Sequence, residues 1–88
     1  MKSFLMSQNN QIYIEAIDLA LNGKWNEAHV IVQELSTPLA QRIHAVLHKI
    51  EGDESNSRYW YSRAGFTYEE FLNSTDELKA IKISLSKS

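Results

Sequence analysis

The sequence predicts an all-α domain of two repeat-like helical hairpins, about five helices in all, with a capping C-terminal helix. Three observations carry this. Apolar residues recur at helical spacing along nearly the whole chain, the breaks between these runs fall at isolated Gly and Pro residues, and no segment sustains strand alternation. The β-branched run "HVIVQ" lies inside a helical pattern bounded by a Gly stop and a Pro start, so tertiary context is expected to override its propensity.

The first helix is expected over Gln8 to Asn22. Its apolar residues cover most of the circumference, and Glu15, Asp18 and Asn22 mark one polar stripe, so it should touch neighbours on more than one side. Gly23 stops it as a left-handed C-cap, and "KWNEAHVIVQEL" follows with Trp25, Ala28, Ile31, Val32 and Leu35 on one face. Thr37 as N-cap and Pro38 at the first helical position open a third helix, about Pro38 to Glu51. Its apolar face carries Leu39, Ile43, Val46, Leu47 and Ile50. A second stripe, Ala40, His44, His48 and Glu51, stacks away from that face.

Gly52 and Asp53 break the chain, with Asp53 as N-cap of a fourth helix, about Glu54 to Ala64, closed by Gly65. Ser57, Trp60, Tyr61 and Ala64 share one side of it, and Tyr59 and Arg63 another. The boxes Thr67-x-x-Glu70 and Ser74-x-x-Glu77 predict a turn of helix and then a terminal helix with Leu78, Ile81 and Leu85 on one side. Residues 1–7 and 86–88 are expected to fray.

Aligning Gly23 with Gly52 brings "NGKWNEAHVIVQEL" over "EGDESNSRYWYSRA", placing Ala28 over Ser57 and Val32 over Tyr61. A Gly turn followed by a small residue packed on the preceding helix is the layout of a helical-hairpin repeat. The offset is shorter than the ~34 residues of a tetratricopeptide repeat, which "GKWNEA" alone resembles well. Two hairpins are fewer than the three repeats such arrays generally need, so the segment after Gly65 is expected to cap the exposed side of the second hairpin.

At 88 residues the chain has room for one domain, spanning 1–88, burying roughly 60–65% of the surface its unfolded form exposes. Hydrophobic residues make up 43% and charged residues 23%, an ordinary globular balance. Net charge is −2 and the basic residues are scattered, so nucleic acid is not an expected partner. No cysteine occurs, which excludes disulfides, thiolate catalysis and Cys-based zinc sites and fits a reducing compartment, the cytoplasm being the default. The N-terminus lacks a signal-peptide core, and no apolar stretch approaches the roughly 18 residues of a membrane span.

The chain resembles a family of small bacterial proteins. The pattern is carried by Gly23, Trp25, Ala28, His29 and Gln33; by His44, Ala45, Leu47 and His48; and by Glu51, Gly52, Asp53, Asn56, Tyr59, Trp60, Tyr61, Arg63, Ala64 and Gly65, with Ser74 opening the last helix. Ser57 departs from it, since members usually carry Ala there. The resemblance implies no activity. It does imply that His29, His44 and His48 belong to one motif set.

Residues at 44 and 48, one turn apart, can both reach one metal ion, with His29 or Glu51 as a third ligand. The general-base Glu of the His-Glu-x-x-His motif is missing, because residue 45 is Ala, and paired histidines more often pack or hydrogen-bond. No nucleophile elbow, phosphate loop or paired-carboxylate spacing supports an enzyme. Trp60 and Tyr61 are expected in the core. Tyr59 and Arg63 either form a contact patch or are used within the chain, Tyr59 packing under the terminal helix and Arg63 pairing with Glu51 or Glu54.

The favoured reading is a non-catalytic interaction module, binding a protein partner or itself as a homodimer, with no cofactor. Its candidate surface is His29, His44, His48, Glu51, Tyr59 and Arg63. The alternative is a small-ligand or metal-binding protein, less readily an enzyme, using the His29/His44/His48 face.

Overall fold

Helix boundaries follow the Gly and Pro punctuation. The structure, a computed structural model, describes residues 2–87, with side chains from Asn10 onward. Helix α1 spans Lys2–Leu21, α2 Trp25–Gln33, α3 Pro38–Ile50, α4 Glu54–Ala64 and α5 Ser74–Ser86, with a single 3₁₀ turn at Tyr68–Glu70. No strand occurs among the described residues. The fraying expected at the termini falls in part on Met1 and Ser88, which lie outside the described residues.

The two hairpins, α1–α2 and α3–α4, turn in the same way. Gly23 has φ +77° and Gly52 φ +82°, the left-handed region that a Cβ disfavours. At each turn the residue after the Gly bonds back across the helix end, Lys24 N to the Leu19 carbonyl at 2.8 Å and Asp53 N to the His48 carbonyl at 2.9 Å. These are two Schellman endings, which account for the sequence echo around the two glycines. The small residue after each turn lets two helices close: Ala28 and Ser57 are both 0% exposed, and Ser57 Oγ donates to the Ala45 carbonyl at 2.7 Å.

Capping follows the sequence at two starts and departs from it at two others. Thr37 Oγ1 accepts from Ala40 N at 3.2 Å with Pro38 at the first position, and Asp53 Oδ1 accepts from Asn56 N at 3.3 Å. Thr67, however, makes no side-chain cap. The cap of α5 is Asn73, one residue before the expected Ser74, its Oδ1 accepting from Asp76 N at 2.9 Å.

Helix α3 is the centre of the molecule. It packs on α4, α2, α5 and α1, whereas α5 packs on α1 and α3 and so caps both hairpins rather than the outer side of the second alone. Ile43, Ala45, Val46 and Leu47 are all 0% exposed and join Ile17, Val32, Tyr61, Leu78 and Ile81 in one core. Each large aliphatic side chain buried this way contributes about 1.5–3 kcal/mol. Ile50, expected in the core, is 45% exposed. With neighbours on several sides, α3 also buries the first half of its second stripe, Ala40 and His44, while Glu51 stays exposed.

On the α5 side of α3 lies a buried ion cluster. Glu77, 1% exposed, accepts from Arg42 Nε at 3.0 Å, Lys49 Nζ at 3.2 Å and the Tyr61 hydroxyl at 2.5 Å. Lys49 Nζ also donates to the carbonyls of Tyr68 at 2.9 Å and Phe71 at 2.7 Å, tying the 3₁₀ turn to α3. Burial and the bond to Glu77 push the Tyr61 hydroxyl well above its ordinary pKa. No buried side-chain polar atom among the described residues lacks a hydrogen-bond partner, so the cluster serves to fasten α5.

Candidate metal centre

All three histidines of the chain meet in one place. On α3, the i, i+4 spacing stacks the His44 and His48 rings, centroids 5.0 Å apart and 23° between planes. His29 on α2 approaches both edge-on, at 4.6 Å and 5.6 Å. Its Nε2 lies 3.0 Å from His44 Nε2, so two neutral imidazoles share one N–H. One ring nitrogen from each histidine lies within 4.8 Å of the other two. A tetrahedral ion with bonds of about 2.0–2.1 Å sets its nitrogens about 3.3 Å apart, inside the 4.8 Å limit of this cluster.

Two tryptophans wall the cluster. Trp25, one turn before His29, stacks on its ring at 4.8 Å and 10°, and its Nε1 donates to the Leu47 carbonyl at 2.6 Å. Trp60 of α4 stacks on His44 at 4.1 Å and 13°. Both tryptophans are half-buried rather than core residues. Sequence reasoning placed Trp25 only on the apolar face of its helix, although its i, i+4 spacing to His29 is a signal for this stack; nothing in the sequence marks Trp60 as a neighbour of His44.

The outer edge is held by a carboxylate. Glu51 Oε1 lies 2.7 Å from His48 Nδ1, a bond in which Nδ1 donates to the carboxylate and the ring is oriented with Nε2 left for another partner. Burial, reinforced by the neighbouring His48, lowers the pKa of His29. Burial first, then His29 and His48, lowers that of His44 to about 4. His29 and His44 are therefore neutral at pH 7, the form in which imidazole donates to a metal.

Of the six candidate surface residues, His29, His44, His48 and Glu51 are brought together. His44, however, is 6% exposed and lies between helices rather than on the surface. Tyr59 and Arg63 stand apart on the outside of α4. Tyr59 is 53% exposed, its hydroxyl 3.4 Å from Arg63 Nη1, and Arg63 lies 5.6 Å from the Tyr59 and Trp60 ring centres. Neither packs under the terminal helix, and Glu54, offered as a partner for Arg63, instead pairs with Arg58 at 2.7 Å.

Three nitrogen donors suit borderline divalent ions such as Zn²⁺, Ni²⁺, Co²⁺ and Cu²⁺, whereas Mg²⁺ and Ca²⁺ demand oxygen. No helix of the described residues is long and apolar enough to cross a membrane. No protein-family model, curated protein or solved structure matches the chain.

Proposed function

We propose that the chain is a helical metal-binding module that holds one divalent transition-metal ion between its hairpins, on His29, His44 and His48. The observation that carries this is the mutual approach, within 4.8 Å, of ring nitrogens drawn from α2 and α3. Two supports accompany it: Glu51 orients His48, as outer carboxylates orient metal-bound histidines, and burial keeps His29 and His44 neutral. Calorimetric titration of the metal-free protein with Zn²⁺ tests it. One ion per wild-type chain, and none at micromolar zinc in folded His44→Gln, is the expected result. Absence of uptake by wild type at micromolar zinc overturns the reading.

The interaction reading stands on a separate observation, the half-exposed Tyr59 with Arg63 beside it. A Tyr–Arg pair of this kind is common at binding hot spots. If it docks a second copy of the chain, light scattering gives a dimer mass for wild type and a monomer mass for Tyr59→Ala; a wild-type monomer excludes self-association.

A further inference from the structure

Three imidazoles leave a four-coordinate ion one ligand short. The donors near the cluster are already committed elsewhere. Glu51 bonds His48 on Nδ1, and the two nitrogens of an imidazole point apart, so a carboxylate on Nδ1 cannot also reach an ion on Nε2. Asp53 caps α4, accepting from Asn56 N at 3.3 Å and Asn56 Nδ2 at 2.7 Å. The indoles of Trp25 and Trp60 cover the rings of His29 and His44, and an indole N–H donates but does not ligate. The cluster is also not sealed: His29 is half-buried and the His48 side chain keeps 12% of its surface.

We infer that an ion held on His29, His44 and His48, a premise that rests on the metal-binding reading above, keeps one exchangeable position at the His48 edge and takes a small monodentate Lewis base there. Three protein ligands with an open fourth place is the pattern of reactive rather than purely structural sites. Neutral imidazoles leave both charges of the ion uncompensated, so a small anion is preferred over a neutral ligand of equal size. Water fills the place when no anion is supplied.

Cobalt(II) loaded into the metal-free protein provides the test, because its visible bands are intense when four-coordinate and weak when six-coordinate. Titration with sodium azide is expected to shift these bands saturably, with isosbestic points and one azide per cobalt. Free imidazole is expected to shift them more weakly. Bands that stay unchanged throughout the azide titration overturn the open position while leaving the metal-binding reading intact. An azide response that emerges only in Glu51→Ala identifies the carboxylate as the fourth ligand and also overturns it. A protein that takes up no cobalt overturns both.

Discussion

Trp60 stacks on His44 at 4.1 Å with 13° between the ring planes, and through this contact α4 closes over the inner wall of the histidine cluster. Trp25 does the same for His29 from α2. The chain has two tryptophans, and both lie on its histidines, so its indole emission reports on the cluster. Ni²⁺ or Cu²⁺ bound there should quench the fluorescence of Trp25→Phe and of Trp60→Phe alike, each variant retaining one reporter. Quenching in only one of them would place the ion on one side of the cluster.

Metal should stabilise the fold, because His29 belongs to the first hairpin and His44 and His48 to the second. At free zinc 100-fold above Kd the gain is about 2.7 kcal/mol, equivalent to roughly 10–20 °C in Tm for a domain of this size. A chelator should reverse it. Thermal melts of wild type and His29→Gln check this, the variant losing most of the gain.

Without metal, the buried imidazoles should make the protein acid-sensitive above the carboxylate range. The folded-state pKa of His44 is about 4, against 6.5 unfolded, and that of His29 is also lowered. The unfolded chain therefore binds more protons between these values, and stability that is complete above pH 6.5 is lost as pH falls toward 4. Urea melts across this range should show the loss, and His44→Gln should flatten it. Further loss below that range belongs to Asp53 and Glu69, whose carboxyls are held low by hydrogen bonds from Asn56 and Arg58.

Removing the Glu77 carboxylate should be the most damaging single change outside the apolar core. Glu77→Ala leaves Lys49 and Arg42 without their buried partner, at a cost of about 3–5 kcal/mol. That is a large share of the 5–15 kcal/mol typical of a small domain. Denaturant melts should place Glu77→Gln, which keeps hydrogen-bond acceptance but not the charge, between Ala and wild type.

Much of the fold was legible because its punctuation is local. Gly23, Gly52, Gly65 and Thr37-Pro38 mark helix ends through backbone chemistry that needs no partner, and His44 and His48 share a stripe by spacing alone. What was not legible depends on distant contacts. The stripe bearing His44 read as turned away from the core, because one helix's periodicity does not reveal neighbours on several sides. Glu77 read as half of a capping box, yet it is buried among Arg42, Lys49 and Tyr61, partners 16 to 35 residues away. The meeting of His29 with the α3 pair was suggested by the shared motif set, and it follows here from the packing of α2 on α3.

The central claim is that imidazoles from two helices hold one ion, and X-ray absorption at the zinc edge of the loaded protein tests it most directly. The expected first shell is three imidazole nitrogens at about 2.0–2.1 Å and one further light atom. A shell with two imidazoles or fewer, or zinc that does not stay with the folded protein, would contradict it.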